Sequence, residues 1–421
     1  METYDSKEVL DFASEAGRIL LENGAEISRV EETMERIASH YGQREERFFV
    51  LSNGIFTTGS AYAHVEFIPI KGSRLDRVVD VNQLSREIES RNLSLPQARA
   101  RLEEIKAKQA KKDWEQYLGA CFGCAGFCII FGGSFSDSLC SLIAALLLNV
   151  FLLKIGNPFL SKTLGNICAG FLGTLLCILL LSCGIGDNLG NMIVGTLILL
   201  IPGVAFTNGL RDIANEDYLA GMTRLADALM MFLCIAIGVC FAFIFHSALF
   251  KDSLALNGTV TDPITSSFPI QLAAAFIGTF SFAILFGVPR RYYVACGLVG
   301  MLGWALFLLA TRYTSAQGFM GTALGAALVA LLSRYAAKAL KCPSTVFLIC
   351  GIFPLIPGGG VFWSAYYVAA GDVSTALSCG MNAVKITLAI VIVLIISANI
   401  FHSEKWRMAP KGNNHSKNSQ I

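Results

Sequence analysis

Residues 200–229 read LIPGVAFTNGLRDIANEDYLAGMTRLADAL, and residues 355–384 repeat this pattern as LIPGGGVFWSAYYVAAGDVSTALSCGMNAV. The two copies align without a gap, so that Pro202-Gly203 matches Pro357-Gly358, Asp217 matches Asp372 and Asp227 matches Asn382. Each copy joins the end of one apolar segment to the start of the next. Proline and glycine break helices. Matched breaks in two apolar halves are typical of the binding region of a secondary transporter.

The composition indicates a membrane protein. The 421 residues are 54% hydrophobic and 15% charged, with a mean hydropathy of +0.57, whereas soluble domains are about 25% charged. The net charge is +2 and no Lys/Arg run resembles a nucleic-acid footprint, so we expect no nucleic-acid partner. The amino-terminal region has no apolar run of signal-peptide type, so we expect no cleaved leader.

The chain offers no motif for catalysis or metal binding. Most of its 13 cysteines lie in apolar segments, where a thiol packs as a small hydrophobe. Cys121 and Cys124 form a CxxC pair, but no second pair or nearby histidine completes a metal or redox site. His40 and His64 are isolated, and no G-x-S-x-G, H-E-x-x-H or P-loop motif occurs. We therefore predict no catalytic residue, no metal and no cofactor, and a protein that is not an enzyme.

Residues 1–113 are predicted to form a small cytoplasmic α/β domain. Apolar residues at helical spacing predict a helix from Ser6 to Tyr41, interrupted at Gly24. Ser94 opens a capping box for a helix that runs to about Lys108. The other predicted elements are strands at 47–51, 55–58 and 63–70 and a short helix at 81–90.

Ten apolar segments of bilayer-spanning length follow this domain. They lie near 116–134, 138–155, 163–183, 189–207, 221–247, 268–288, 292–311, 317–337, 344–365 and 375–401. An even number of spans puts both termini on one side. The loops on that side carry most of the Lys and Arg, which predicts that both termini are cytoplasmic. The opposite loops carry only Lys251 and Arg312.

Five spans in each half predict an inverted repeat. We place the first repeat at 114–250, the second at 251–402 and a polar, basic tail at 403–421. Because five is odd, the second half enters the membrane upside down, so that Asp217 faces the cytoplasm and Asp372 the outside. The predicted fold class is an α-helical polytopic membrane protein. It has about ten transmembrane helices in two inverted repeats and a cytoplasmic α/β domain.

The helix breaks at Pro202-Gly203 and Pro357-Gly358 are the first candidate site. A break frees backbone polar groups, and hydrocarbon cannot satisfy them. Two interpretations stay open: the breaks line a substrate path, or they are structural kinks.

Polar residues inside or beside the spans are the second candidate. We select Asn191, Thr207, Asn208, Arg211, Asp212, Asp227, Asn382 and Lys385 for substrate binding or coupling. A charge at a span centre costs about 2.5–3.5 kcal/mol, so it needs a role or a partner. Lys385 suits a substrate carboxylate, and Asp227 suits an ammonium group or a proton. As alternatives, Asp227 and Lys385 form a structural ion pair or Lys385 snorkels outward, and Arg211 and Asp212 are solvated loop charges.

Three stretches resemble one bacterial family. LLENGAEISRVEETMERIASHYG (20–42), followed by FFVLSNGIFTT (48–58), resembles the amino-terminal signature of the threonine/serine exporters. The 200–229 stretch resembles their central motif, and GIFPLIPGGGVFWSAYY (351–367) resembles their smaller partner module. The resemblance covers nearly the whole chain as a fused form. In some relatives the two parts are separate chains that export succinate.

The resemblance implies proton-motive-force-driven export of small carboxylated metabolites across the bacterial inner membrane. We expect threonine or serine as substrate, moved by alternating access, with succinate or another small dicarboxylate as the alternative. The implied partners are the substrate, protons and the lipid bilayer, and a homo-oligomer is compatible with these observations. A membrane-anchored hydrolase in the amino-terminal domain and a passive channel are further alternatives.

Overall fold

The computed structural model describes residues 4–43, 47–59, 62–69, 72–250, 266–313, 318–369 and 371–408. The amino-terminal segment, residues 4–107, contains helices α1 (Ser6–Glu22), α2 (Ile27–His40), α3 (Leu75–Arg91) and α4 (Leu95–Ala107) and strands β1 (Arg47–Leu51), β2 (Gly54–Gly59) and β3 (Tyr62–Phe67). Helices make up the rest: α5 (Asp113–Ile130), α6 (Phe135–Phe151), α7 (Asn157–Phe159), α8 (Lys162–Ser182), α9 (Leu189–Leu197), α10 (Gly203–Ala214), α11 (Tyr218–Phe250), α12 (Phe268–Leu285), α13 (Tyr293–Tyr313), α14 (Phe319–Leu340), α15 (Ser344–Ile352), α16 (Gly358–Ala369) and α17 (Val373–Met408).

In the amino-terminal segment, α1 and α2 pack against an antiparallel sheet of order β1-β2-β3. Buried Phe12, Met34 and Ile55 belong to the core that α1, α2 and β2 share. The predicted break at Gly24 is confirmed: this glycine has φ +85, a conformation that ends a helix at little cost. The capping box at Ser94 is also present. Helix α3 begins at Leu75, earlier than predicted.

The membrane part contains seven described helices that are long and apolar enough to span a bilayer, or nine if two bent pairs each count as one span. The bent pairs are Leu189–Leu200 with Gly203–Ala214 and Ser344–Leu355 with Gly358–Val368. The first predicted span corresponds to α5, whose polar first turn shortens its apolar stretch. The tenth span, the inverted orientation and the domain boundaries therefore stay predictions.

The last helix is longer than predicted. Helix α17 continues to Met408, so the first residues of the predicted polar tail are helical. Residues 409–421 and Lys251 lie outside the described residues.

The two halves pack their helices by the same scheme. In the first half α5 contacts α6, α8 contacts α11, and α10 contacts α11; in the second, α12 contacts α13, α14 contacts α17, and α16 contacts α17. The halves also exchange contacts, because α10 packs on α17 and α16 packs on α11. Each bent helix pair therefore touches the last long helix of both halves.

The amino-terminal segment is attached to the end of α12 in the second half. The backbone N–H groups of Leu75 and Asp76 donate to the carbonyls of Phe286 (3.1 Å) and Gly287 (2.9 Å). Lys111 Nζ donates to the carbonyl of Val288 at 2.6 Å. The start of α3 and the linker thus satisfy carbonyls that the end of α12 leaves unpaired.

Candidate functional site

The two helix breaks have the same backbone geometry. Ile201 has φ −64 and ψ 126, and its counterpart Ile356 has φ −66 and ψ 131. In both copies the glycine N–H donates to the carbonyl two residues earlier, Gly203 to Ile201 and Gly358 to Ile356, at 2.7 Å. The chain bends by 67° at the first break and by 44° at the second. The repeat seen in the sequence is therefore also a repeat of local backbone structure.

The breaks cross and pack against each other. Gly203 lies against the ring of Phe353, and Gly358 lies against Ile201 and, at 3.7 Å from an added Cβ, Ile198. Phe353 is the repeat counterpart of Ile198, whereas Ile201, the nearest neighbour of Gly358, is the counterpart of Ile356, so the tightest contacts of the two glycines are at different repeat positions. A Cβ on Gly203 would overlap the Phe353 ring, and a Cβ on Gly358 would overlap Ile201. Glycine is therefore needed at both positions for this close approach.

A small apolar cavity lies beside the crossing. It measures about 30 Å³ and is lined by residues that include Val194, Ile201, Phe232 and Gly358. Ligand pockets commonly measure about 300–1,000 Å³. This cavity is therefore too small for an amino acid in the conformation described.

A buried ionic network lies just beyond the first break. Arg224 NH1 is 2.8 Å from Asp212 Oδ2, and neither side chain is more than 3% exposed. Arg211 Nε is 2.5 Å from Glu26 Oε2, which also belongs to a buried side chain. Glu26 in turn accepts from Arg29 at 3.1 Å. Asp212 is thus buried and paired, unlike the solvated loop charge that the sequence left open.

The same network binds the backbone of the amino-terminal segment between α1 and α2. Asn208 Nδ2 donates to the carbonyl of Gly24 at 2.7 Å, and Arg224 donates to that of Ala25 at 2.8 Å. The Ile27 N–H donates to Asp212 at 3.2 Å, which places a carboxylate at the start of α2. An anion is stabilised at a helix amino terminus. The segment is therefore fixed to the first half by hydrogen bonds from buried groups.

A cavity of about 590 Å³ lies beside this network. It is lined by side chains of α2, α10, α14, α15 and α17, and we call it the arginine-lined cavity. Its lining includes Glu26, Ser28, Arg29, Glu32, Arg211, Asn215, Glu216, Ser333, Arg334, Ser344 and Ser397. Ligand pockets commonly measure 300–1,000 Å³, so this one has room for a small polar molecule.

The other predicted residues lie apart from this cavity. Asn191 is buried and its amide donates to the carbonyl of Gly132 at 3.2 Å. Thr207 is buried, and its Oγ1 has no hydrogen-bond partner among the described residues. Lys385 and Asn382 are exposed on α17.

Asp227 has a different partner from the one considered in the sequence. Its carboxylate lies 2.5 Å from Lys162 Nζ, and both side chains are about half exposed on the bundle surface. No ion pair between Asp227 and Lys385 is present in the described part of the chain. The structure thus does not bring the predicted residues together into one site.

The repeat-equivalent Asp217 and Asp372 precede α11 and α17 in different surroundings. Burial raises the pKa of Asp217, with nearby Arg224 opposing the shift. Hydrogen bonds from the side chain and backbone of Thr375 lower the pKa of exposed Asp372. Only the copy in the first half is therefore close to the buried network.

Glu26, Arg29 and Glu32 were missed as site residues in the sequence. They belong to the 20–42 stretch, and the only signal was its resemblance to a family signature. In the described ranges, no group of three or more His, Cys, Asp or Glu side chains is arranged to hold a metal ion.

Comparisons with known proteins agree on one family. Residues 11–246 match the family model "Putative threonine/serine exporter", and residues 271–400 match the model "Threonine/Serine exporter, ThrE". The "Threonine/serine exporter" of Corynebacterium glutamicum is 21% identical over 85% of this chain and 75% of its own length. The "Probable threonine/serine exporter" of Mycobacterium tuberculosis is 21% identical over 87% of this chain and 71% of its own length. No solved structure matches the chain significantly.

Proposed function

The chain belongs to the threonine/serine exporter family, and we propose that it exports threonine and serine by alternating access, driven by the proton gradient. Amino acid export by a multi-pass membrane protein is what the family supports. The substrate, the driving force and the transport cycle are our proposal. Export of succinate or another small dicarboxylate is the alternative that the split relatives suggest.

The crossing of the two breaks is the observation that carries the mechanism. Two breaks with matched backbone turns meet there, with Gly203 against Phe353 and Gly358 against Ile201. In the proposed cycle the two halves rotate relative to each other about this crossing. The contacts of α10 with α17 and of α16 with α11 are then closely packed in turn, one pair in each state. The crossing would open on one side of the membrane while it stays packed on the other.

The proposed orientation keeps both termini in the cytoplasm of a bacterial cell, with the chain in the inner membrane. Leu219 and Ser374 are repeat equivalents and both are exposed. In a cysteine-depleted background, Ser374→Cys should react with an impermeant thiol reagent in intact cells. Leu219→Cys should react only after permeabilisation. Labelling of both from the same side would refute the inverted arrangement.

Asp227 is the proposed proton-coupling residue, with Asp212 as the second candidate. Asp227 is accessible and paired with Lys162, whereas Asp212 is enclosed by Arg224 and by backbone groups. A carboxylate that carries the coupling proton has to exchange it with solvent, which favours Asp227. Asp227→Asn should abolish gradient-driven transport and leave exchange of labelled threonine intact, because an amide cannot cycle a proton.

Reconstituted vesicles test the proposed function. The protein in vesicles with an imposed pH gradient should move labelled threonine and serine, and an uncoupler should stop net transport. Lys162→Gln is the matched control, because it removes the partner and keeps the carboxylate. Transport of succinate without threonine would favour the alternative, and full gradient-driven transport by Asp227→Asn would reject this residue as the coupling group.

A further inference from the structure

We propose that two side-chain contacts, one on each side of the crossing, are the gates of the transport path. The first joins Arg211 of α10 to Thr345 of α15, and the second joins Trp363 of α16 to Gly190 of α9. This inference rests on the proposed function, because it names the residues that open and close in alternating access. Both gates are closed in the conformation described.

The positions of the gates follow from how the two bent helix pairs pack. Helices α9 and α15 have nine residues each and α10 and α16 have twelve each, at repeat-equivalent positions. The second helix of each pair packs on the first helix of the other, α10 on α15 and α16 on α9. Because the chain bends by only 67° and 44° at the breaks, it continues through the crossing instead of turning back. The α10–α15 contact and the α9–α16 contact therefore lie on opposite sides of the crossing.

The α10–α15 gate is polar. Arg211 NH1 donates to Thr345 Oγ1 at 2.8 Å, and its NH2 donates to Ser344 Oγ at 3.5 Å. Arg211 Nε also lies 2.5 Å from Glu26 Oε2, so a residue of the amino-terminal segment positions the guanidinium over the start of α15. Arg211 and Ser344 line the arginine-lined cavity. Opening this gate would extend that cavity along α10 toward the crossing.

The α9–α16 gate is aromatic. Trp363 is only 6% exposed, and a Cβ on Gly190 would overlap its ring. The Trp363 ring stacks on Tyr367 and meets the edge of Tyr366, with centroid distances of 5.9 Å in both cases. The Tyr366 ring in turn lies 5.4 Å from that of Phe243 on α11. A ring held in this way over a glycine closes the space between α9 and α16 without a charge.

The two gates can open independently, because they use different chemistry. Thr345 is the repeat equivalent of Gly190, but Arg211 lies three residues beyond the equivalent of Trp363. The hydroxyl contacts of Arg211 can be exchanged for contacts with water. The Trp363 ring can rotate away from Gly190, which has no side chain to obstruct it. Alternating access requires this independence, since one gate has to open while the other stays closed.

Thiol labelling of the purified full-length protein, in a cysteine-depleted background, tests both gates. The probes are Val194→Cys and Ile349→Cys, which are repeat equivalents at 4% and 0% exposure. They lie one helical turn beyond Gly190 and Thr345, on the side of the crossing. The reagent is a charged methanethiosulfonate, which reacts with thiols that water reaches. Both probes should react slowly while the gates are intact.

Each gate variant should expose only the probe behind that gate. In Trp363→Ala, Val194→Cys should be labelled about tenfold faster or more, which corresponds to a closed gate weakened by about 1.4 kcal/mol. Labelling of Ile349→Cys should stay slow in this variant. Thr345→Val should have the opposite effect on the two probes, because it removes the hydroxyl to which Arg211 donates. Thr345→Ser is the matched control, because it keeps this hydroxyl.

Two outcomes would overturn the gates. One is no faster labelling of the matching probe in Trp363→Ala or in Thr345→Val, and the other is equal acceleration of both probes, which would show a general loosening of the protein. If Trp363→Ala folds poorly, Gly190→Ala displaces the ring by a smaller change and is judged by the same two outcomes. Labelling needs no substrate, so it is independent of the proposed function. If the probes respond as expected but vesicles do not move threonine, the gates stand and the proposed function is wrong.

Discussion

Adding one methyl group at the crossing tests how tightly the two breaks are packed. A matched glycine-to-alanine change elsewhere accounts for the effect of helix propensity on stability. The change is Gly203→Ala, and the matched control is Gly359→Ala. An added Cβ at Gly203 overlaps the ring of Phe353, while at Gly359 the nearest atom is Val194 Cγ1 at 3.7 Å, an ordinary contact. Both variants replace glycine by alanine near the start of a helix after a break, so their intrinsic propensities change alike.

The surroundings of Phe353 determine the size of the effect. Its ring lies 5.2 Å from that of Phe127, 4.3 Å from Phe282 and 5.4 Å from Phe286, centroid to centroid. The ring therefore has little freedom to move away, and overpacking of this kind costs about 1–3 kcal/mol. The gain in helix propensity is at most about 1 kcal/mol. We expect Gly203→Ala to be less stable than Gly359→Ala by about 1–3 kcal/mol.

Thermal unfolding in detergent measures the stability, and threonine transport in vesicles measures the function. Phe353→Leu should relieve part of the overlap, so the double variant with Gly203→Ala should be more stable than the sum of the single changes predicts. Equal stability of Gly203→Ala and Gly359→Ala, with no coupling in the double variant, would refute the crossing as a tightly packed contact.

Two further predictions concern the charges around the first break. Arg224→Met should destabilise the protein by about 3–5 kcal/mol, because it leaves the Asp212 carboxylate buried without its partner. In thermal unfolding, the double variant with Asp212→Asn should recover much of this loss. If Arg224→Met is as stable as the wild type, the ion pair does not contribute to stability. Burial raises the pKa of Asp217 in the folded protein, so the folded protein binds a proton at this carboxylate at a higher pH than the unfolded chain does. The ionised carboxylate therefore lowers the stability of the fold by its full amount above the folded pKa. This loss of stability disappears below the unfolded pKa. Asp217→Asn should therefore stabilise the protein near neutral pH. Hydrogen bonds lower the pKa of Asp372, so Asp372→Asn should remove stability that is present above the unfolded pKa of this group. If the two variants change the stability near neutral pH in the same direction, this assignment is wrong.

The sequence could locate the breaks because their signal is local. Pro202-Gly203 and Pro357-Gly358 interrupt helices by their own backbone chemistry, and both interruptions occur where predicted. The strand Arg47–Leu51 and the capping box at Ser94 were predicted for the same reason, since each depends on neighbours in the chain.

The partners of the charges could not be predicted, because they depend on packing between distant segments. Glu26 meets Arg211 and Asp212 meets Arg224 only once α2 lies against α10 and α11. Asp227 is near Lys385 in the repeat alignment, but it pairs with Lys162 because α8 and α11 pack together. A position in a repeat predicts backbone conformation better than it predicts side-chain contacts.

The exchanged packing of the two bent helix pairs has a consequence for how the two halves assemble. Helix α10 packs on α17 and α16 packs on α11, so each half places one helix against the other half, as protomers do in a domain-swapped dimer. In either half alone, the surface of α11 or α17 that contacts the exchanged helix would be uncovered. Packing between helices of the two halves therefore holds them together. The same assembly can be encoded as one polypeptide or as two obligate partners.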